Sequence, residues 1–215
     1  MPKKLEWDKV GERLYETGVS NAALFVYNSG AYQKGVAWNG LTSVSESPTG
    51  AETTPLYANN TTYVNLLSRE DYAATIEAYT YPEEFSKCNG ETELAKGVTV
   101  GQQKRLSFGL VYKTKVGSDT DPDAGYKIHL IYGAIASPSQ KQYSTVNDSP
   151  SAVTFSWSLK ATPVEVPGMK PTATIVIDST KADKTKLEAF EKIVYGSDTA
   201  DAKMPTPAEV AAAFA

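Results

Sequence analysis

Three segments of the chain alternate between apolar and polar side chains, which is the pattern of a strand that buries one face. Shorter apolar runs bounded by turn residues occur at 22–27, 32–38, 62–67 and 72–81. Together they predict a mainly β fold, an antiparallel β-sandwich or half-barrel of about seven or more strands. The apolar positions of the three alternating segments are Leu106, Phe108, Leu110 and Tyr112; Tyr126, Ile128, Leu130 and Tyr132; and Val153, Phe155, Trp157 and Leu159.

The last predicted strand lies at 173–177, and one flanking α-helix is predicted after it. Asp183 or Thr180 can cap its start, and Gly196 stands where a left-handed C-terminal residue is expected. Residues 206–209 match a capping box with proline at the first helical position, so the end of the chain forms a short surface helix or stays loose. The apolar stripe of the predicted helix consists of Leu187, Phe190, Ile193 and Val194.

The strand signals suggest three parts: an N-terminal arm at 1–20, a β-sandwich domain at 21–196 and a C-terminal tail at 197–215. The charged start has no apolar core of a signal peptide, and no stretch approaches the roughly 20 apolar residues of a membrane span. We therefore expect synthesis in the cytoplasm.

The segment at about 42–62 differs from the rest because serine, threonine and proline crowd there. Pro48, Gly50 and Pro55 argue against a regular central strand, so the segment is predicted to be a long loop or an extended hairpin. Long loops without structure of their own are uncommon and usually functional.

The composition argues against nucleic-acid binding and against disulfides. The formal charge is −4 and the chain has 13 tyrosines. No cluster of lysine and arginine is present that could hold phosphates, so DNA could pass this protein without being bound. The single cysteine, Cys88, rules out an intramolecular disulfide.

Catalytic motifs are not found in the sequence. His129 is the one histidine and lies in the middle of a predicted strand, and Cys88 lies in a polar, irregular segment. A general base needs a group to activate and a group that orients it, and neither residue has such a neighbour in sequence. We expect no catalytic residue, no cofactor and no enzymatic activity.

An acidic alternation at Asp119, Asp121 and Asp123 is the best metal candidate, and it fails. An EF-hand loop requires glycine at its sixth position and glutamate at its twelfth. Those positions are Ala124 and Leu130. A solvated turn is the interpretation we prefer, and we predict no metal site.

A series of phrases resembles the major tail protein, or tail tube protein, of long-tailed phages of Gram-positive bacteria. The resemblance covers nearly the whole chain, and its specificity lies in the order and number of the phrases. They are GERLYETGVSN at 11–21, GVAWNGL at 35–41, SESPTGAE at 45–52, PLYA at 55–58, ATIEAYTYPEEF at 74–85, GYKIHLIYG at 125–133 and TIVID at 174–178.

The resemblance implies a β-sandwich flanked by a helix, of which six copies close into a ring. Rings stack into a hollow tail tube, inner sheets join into a barrel around the lumen, and the phage genome passes through that lumen. A long loop after the second strand reaches the adjacent ring. The implied partners are further copies of the chain, the tape measure protein and the tail tip and terminator proteins, in a virion assembled in the bacterial cytoplasm.

Two sets of residues are assigned on this basis. Strands with one polar face suit a sheet that lines a wet channel, and the loop at 42–62 has Leu56 and Tyr57 as candidate anchors. The inter-ring set is Ser47, Pro48, Leu56 and Tyr57, and the lumen or polar-face set is Glu77, Thr154, Ser156 and Ser158.

Alternatives stay open at this point. One is a tube protein of a contractile tail, a bacteriocin particle or a secretion apparatus. Another is an Ig-like adhesion or carbohydrate-binding module, which uses loops at one end of a sandwich and stays monomeric. An enzyme is the third. Concentration-dependent assembly separates the tube proteins from the other two classes.

Overall fold

The computed structural model describes residues 4–145, 148 and 152–215. Strands dominate, and they are followed by two helices at the end of the chain. The strands are β1 (Leu14–Asn28), β2 (Ala31–Tyr32), β3 (Val36–Ala37), β4 (Leu41–Glu46), β5 (Thr49–Gly50), β6 (Thr53–Ala58), β7 (Thr61–Leu67), β8 (Glu70–Asp71), β9 (Ala73–Ala78), β10 (Thr92–Ala95), β11 (Val98–Val100), β12 (Phe108–Ser118), β13 (Gly125–Ala136), β14 (Phe155–Ala161) and β15 (Thr174–Asp178). A 3₁₀ helix spans Glu83–Lys87, and the α-helices are α1 (Lys184–Tyr195) and α2 (Pro207–Phe214).

The main sheet has nine strands, with the order β2-β1-β12-β13-β14-β9-β4, β15 added to β13, and β3 added to β1. Its described pairings are antiparallel, as the sequence predicted. Strand β13 is shared, because residues 127–131 pair with β15 and residues 134–136 pair with β14. Gly133, with φ +57, lies at this junction, where a Cβ would stand 2.6 Å from the Thr162 carbonyl oxygen. Glycine therefore allows the sheet to turn from one partner strand to the other.

Both faces of the central strands are buried. Leu110 and Tyr112 of β12 lie in a core with Trp157, whereas Val111 lies in a second core with Phe190 of α1. The predicted apolar faces are confirmed for all three alternating segments, whose members lie in or against one core or the other, except Val153, which precedes β14 and belongs to neither core. The prediction that the opposite faces are polar is wrong for Val111, because the helices cover that side of the sheet, and for Ile131, which is buried in the first core.

An aromatic cluster fills the first core. The Trp157 ring is fully buried and its indole N–H donates to Asn89 Oδ1 at 3.1 Å. Most ring pairs in this cluster meet edge to face, and such contacts add stability beyond that of the buried area. The rings with centroids 4.6–5.9 Å apart are those of Trp38, Tyr81, Phe85, Phe108, Phe155 and Trp157.

The two helices are capped by the residues that the sequence indicated. Asp183 accepts a hydrogen bond from the Lys186 N–H at 3.0 Å, and Thr206 and Glu209 form a complete capping box. Gly196 has φ 83 and ψ 175, so it is extended with positive φ and not left-handed helical as predicted. Ile193 is 41% exposed, which removes it from the buried stripe.

The C-terminal tail is part of the core. Met204 and Val210 are buried in the second core, and the Phe214 ring lies 5.4 Å from the Phe190 ring. The structure therefore has two helices where the sequence predicted one with an undecided tail. Among the residues that the structure describes, no helix is long and apolar enough to cross a membrane.

The predicted arm at 1–20 is a strand over its last seven residues. Strand β1 begins at Leu14 and pairs with β12, with register shifts between Thr17 and Ala23. Gly18, with φ +68, lies in this irregular stretch and marks a bulge in a long strand. Residues 4–13 have no helix or strand, and residues 1–3 lie outside the described part.

The segment at 42–62 is the first half of an extended hairpin, the second of the two predicted forms. Strand β4 stays in the main sheet to Glu46, and the chain then leaves it through β5 and β6 and returns through β7 and β8. The tip is formed by Asn59 and Asn60, both with positive φ, as a tight hairpin turn requires. The strand signal at 62–67 belongs to the returning half of this hairpin.

Candidate assembly surfaces

The hairpin at 47–71, hereafter the projecting hairpin, stands away from the body of the protein. Every residue from 47 to 71 is exposed. From Thr49 to the tip, each half extends about 35 Å at the usual rise of a strand. An isolated two-stranded hairpin is marginally stable in water, so its contacts must be sought outside its own domain.

Large apolar side chains cover the projecting hairpin, and none of the described residues buries them. Surface patches of this kind are typical of interaction sites. Of the inter-ring residues proposed from sequence, Leu56 and Tyr57 lie here, while Ser47 and Pro48 lie at the base, where Ser47 N–H donates to the Ala73 carbonyl at 2.8 Å. The exposed apolar set, 40–76% accessible, is Leu56, Tyr57, Tyr63, Val64, Leu66 and Leu67.

The two proposed anchors point to opposite faces of the projecting hairpin. Leu56 is opposite Val64 in the ladder and shares its face with Leu66, whereas Tyr57 is the neighbour of Leu56 and so lies on the other face. Both faces of the hairpin therefore carry apolar side chains. Sequence reasoning missed Val64 and Leu66 because it assigned 62–67 to the body of the sheet.

A bend separates the short ladder β5–β8 from the longer ladder β6–β7. Gly50 has φ +92, and a Cβ there would stand 2.1 Å from the Arg69 carbonyl oxygen. Beyond the bend, Glu52 N–H donates to Ser68 Oγ and Ser68 N–H donates to the Glu52 carbonyl, both at 2.9 Å. Only glycine fits this approach of the two strands, so the direction of the hairpin depends on Gly50.

A hydrogen bond ties the base of the projecting hairpin to the central sheet. The Tyr112 hydroxyl donates to Glu46 Oε1 at 2.8 Å, and the Tyr112 ring stacks on the His129 ring with centroids 4.6 Å apart. Burial first, and then the hydrogen bond to Glu46, raise the pKa of Tyr112 well above its usual range. The hydroxyl therefore keeps its proton and remains a donor to the carboxylate at neutral pH.

The second surface is the outward face of β4, β9 and β14. Ser156 is opposite Glu77 in the ladder, Ser158 is opposite Thr75, and Ser43 Oγ donates to Glu77 Oε2 at 3.1 Å. Trp157 and its neighbours on the inward face are buried. The structure thus brings Glu77, Ser156 and Ser158 together on one face, and their assignment to a lumen stays a prediction.

Thr154 is exposed but precedes β14, so it lies outside the ladder of this polar face. Sequence reasoning missed Ser43 and Ser45 because it placed β4 within a loop, and it did not name Thr75 of β9. The period-2 pattern of Ser43, Ser45 and the intervening Val44 was the signal that could have located them. Along the three strands, the outward side chains carry one carboxylate, Glu77, and one ammonium group, Lys160.

Strand β4 ends the sheet, so its outer edge has backbone groups without a strand partner in the part of the chain that the structure describes. Such an edge is a template for pairing with another chain unless it is covered. The polar face and this edge share one strand, which places both at the same side of the molecule.

The two side chains considered as catalytic candidates, His129 and Cys88, are packed inside the protein. His129 Nε2 lies 2.9 Å from Thr114 Oγ1, and burial lowers the pKa of the imidazole. Cys88 is fully buried, and burial raises the pKa of its thiol to about 12. At neutral pH the thiol therefore stays protonated, and it is a poor nucleophile.

The acidic turn at 119–123 makes contacts within the protein. Asp119 accepts from the Gly11 N–H at 2.9 Å and lies 3.7 Å from Arg13, and Asp123 pairs with Lys115 at 2.6 Å. Within residues 4–145, 148 and 152–215, no group of three or more His, Cys, Asp or Glu residues is arranged to hold a metal ion.

Comparison with known proteins gives distant structural likenesses only. No family model matches the chain and no curated protein matches it in sequence. A chain in the baseplate of the anti-feeding prophage superposes with a TM-score of 0.40 at 8% identity, over 82% of this chain and 99% of that one. A chain in the extended sheath–tube complex of the PVC extracellular contractile injection system gives 0.37 at 12% identity, over 81% and 94%. At these scores the likeness carries no conclusion about function.

Proposed function

We propose that this protein is a structural subunit of a phage-type tail tube, in which six copies form a ring and rings stack around a lumen that the genome crosses. The observation that carries the proposal is the projecting hairpin. It is exposed throughout and apolar on both faces. A segment of this kind becomes stable when a neighbouring molecule covers it, so its place is between subunits.

The two apolar faces of the projecting hairpin indicate that more than one neighbouring molecule covers it. Leu56, Val64 and Leu66 form an aliphatic stripe on one face, and Tyr57 lies on the other. A hairpin that only lay on a flat partner would bury one of these faces. Burial of both requires insertion between two molecules, which suits a position between stacked rings.

The polar face of β4, β9 and β14 is proposed to line the lumen. Its side chains are small and hydroxyl-bearing, with Glu77 and Lys160 as its charges. Strong DNA binding depends on several cationic contacts to phosphates. A face with one charge of each sign holds DNA weakly, so DNA slides past it. The free edge of β4 would pair with an edge of the next subunit to continue the sheet.

We also propose which proteins bind the tube and where the tube is found. The remaining partners are the tape measure protein and the tail tip and terminator proteins, and the location is the tail of a virion. The role is structural and not enzymatic, and the buried, protonated Cys88 and the packed His129 support this part of the proposal.

The test removes the projecting hairpin. Residues 49–70 are replaced by a short Gly-Ser bridge, and assembly is followed by sedimentation and electron microscopy with the native tail-initiation complex present. We expect the variant to stay as single rings or subunits, whereas the unmodified chain forms tubes. The matched control shortens the other exposed hairpin, β10–β11, and should form tubes of normal length. If the unmodified chain stays monomeric with its initiation complex, the proposal is wrong.

A further inference from the structure

A second apolar surface lies between α1 and α2, far from the projecting hairpin in sequence. The two helices and the segment that joins them enclose a groove of about 670 Å³. Ile193 stands at this groove with 41% of its surface exposed, which explains why it left the buried stripe of α1. The apolar lining consists of Phe190, Ile193, Ala200, Pro205, Ala212 and Ala213.

The N-terminal arm, here residues 4–13, has apolar side chains that the described part of the chain leaves uncovered. Leu5, Trp7 and Val10 are 71%, 75% and 75% exposed. The other two tryptophans, Trp38 and Trp157, are buried. An exposed tryptophan flanked by two exposed aliphatic residues is typical of a docking segment, since tryptophan is enriched among interface anchors.

The arm and the groove lie at opposite ends of β1. The arm precedes Leu14 and is held at the β12–β13 turn by the hydrogen bond from Gly11 to Asp119. The groove lies near the other end, where Lys34 pairs with Asp201 at 2.7 Å and Gly35 N–H donates to the Ala202 carbonyl at 2.9 Å.

The arm is too short to reach the groove of its own chain. Residues 5–10 span at most about 20 Å from the anchor at Gly11. The part of β1 that separates the two ends is about 40 Å long at the usual rise of a strand. A second copy, placed head to tail, can bring its arm to the groove. Such a heterologous contact repeats from one copy to the next and so suits a ring or a stack.

The charges of the two surfaces are complementary. Glu6 pairs with Lys9 within the arm and Lys203 pairs with Glu209 beside the groove. In the part of the chain that the structure describes, the Asp8 carboxylate and the Lys192 ammonium group make no ion pair. Lys4 and Glu12 of the arm make no ion pair there either, so the unpaired groups of the arm carry a net charge of −1, opposite in sign to Lys192.

We infer that the N-terminal arm of one copy docks in the α1–α2 groove of a neighbouring copy, with Trp7 as its anchor. This contact rests on the proposed self-assembly and adds a second interface to that of the projecting hairpin. Its partner is the same chain, and its location is the helical side of the subunit.

Cross-linking between two single-cysteine variants tests the contact. Val10→Cys chains are mixed with Ile193→Cys chains at a concentration that supports assembly and are oxidised mildly. Buried Cys88 is common to every sample, and the unmodified chain measures its contribution. The matched control replaces Ile193→Cys by Val176→Cys, which places the thiol on β15 at a position 48% exposed.

We expect the mixed pair to form a covalent dimer at least about tenfold faster than the control pair, because docking raises the effective concentration of the two thiols. An equal rate in the two pairs would overturn the inference. Tubes seen by electron microscopy together with equal rates would leave the tube function standing and remove the arm contact. Excess cross-linking without tubes would support the contact and count against the tube.

Trp7 provides a second readout in the unmodified cysteine background. Its emission should shift to shorter wavelength on assembly, while Trp38 and Trp157 are buried throughout. Ile193→Glu, at an exposed position of α1, should abolish this shift. A shift that survives this change would place Trp7 elsewhere in the assembly and contradict the inference.

Discussion

Two antiparallel hairpins of this molecule have strands of similar composition and opposite surroundings. In β12–β13, Leu110 and Val111 point to opposite faces, and both are fully buried. In β6–β7, Leu66 and Leu67 also point to opposite faces, and they are 51% and 70% exposed. The sequence pattern therefore predicts a strand in both places, while the rest of the chain decides whether each face is covered.

The difference lies in what the neighbouring elements supply. Helices α1 and α2 cover one side of β12–β13, and β9, β14 and the 3₁₀ helix cover the other. Among residues 4–145, 148 and 152–215, the strands of the projecting hairpin pair with each other alone, so its faces have no partner in that part of the chain. Substitutions on the buried hairpins should therefore change the free energy of unfolding, and substitutions on the projecting hairpin should change assembly.

The largest effect on stability is expected at the aromatic cluster. Trp157→Ala removes a fully buried ring that contacts Trp38, Tyr81 and Phe85. The expected loss is about 3–5 kcal/mol in the free energy of unfolding, as for other buried large aromatics. Ser158→Ala, one position away on the polar face, should change it by less than about 0.5 kcal/mol. Denaturant titration of both variants measures the difference, and equal losses would mean that the strand register is wrong.

The next effect is expected at the aliphatic stripe of the projecting hairpin. Changing Leu56, Val64 and Leu66 together to Ser should leave the melting temperature of the isolated subunit nearly unchanged, because these side chains are already 40–51% exposed. Tube assembly should fall sharply, since the interface loses its apolar anchors. Sedimentation and thermal melting are measured on the same samples. A large drop in melting temperature with normal tubes would show that the hairpin covers its own domain.

A smaller effect is expected at the bend. Gly50→Val places a Cβ against the Arg69 carbonyl and disfavours φ +92. Strain of this kind costs about 1–3 kcal/mol and here disturbs the β5–β8 ladder locally. Tubes should become shorter but not disappear, with the body of the protein intact. Gly97→Val, at φ +78 in the turn of β10–β11, is the control for backbone strain in an exposed hairpin. Equal tube lengths for the Gly50 variant and the unmodified chain would contradict a role of the bend.

The sequence predicted correctly those features that depend on neighbouring residues. It failed where the burial of a strand face depends on elements that are distant in sequence. The alternations around Trp157, the Asp183 cap and the capping box at Thr206 depend on neighbouring residues, and the structure has them as predicted. The burial of Val111 depends on a helix that lies far away in sequence, and no local signal indicates it. The prolines and serines between 42 and 62 also led to the prediction of a loop where the polar strand β4 lies.

The candidate surfaces were predictable to a similar extent. Glu77, Ser156 and Ser158 fell on one face because each lies in a clear period-2 pattern. Val64 and Leu66 were missed because an apolar strand was assumed to belong to the body. Whether an apolar strand is covered is decided by topology, and the topology depends on pairings that a single sequence does not display.

The smallest effect is expected at His129, between the two regions that have been compared. Burial lowers the pKa of this imidazole, while the Glu46 and Glu16 carboxylates oppose the shift and Lys127 adds to it. The unfolded chain, with an ordinary histidine pKa of about 6.5, then binds a proton more readily than the folded one. Stability from this group is therefore fully present above about pH 6.5 and is lost as the pH falls toward the lower pKa of the folded state.

His129→Gln should remove that dependence. The variant should show a flatter decrease in the free energy of unfolding between about pH 7 and pH 5.5, measured by denaturant titration at each pH. Asp178 and Glu209 have lowered pKa values and contribute at more acidic pH, so they affect both proteins alike in this window. Identical slopes for the two proteins would mean that the imidazole is not desolvated. Because His129 stacks on Tyr112, which binds Glu46 at the base of the projecting hairpin, a change in tube length with pH in the unmodified chain alone would connect this packing to assembly.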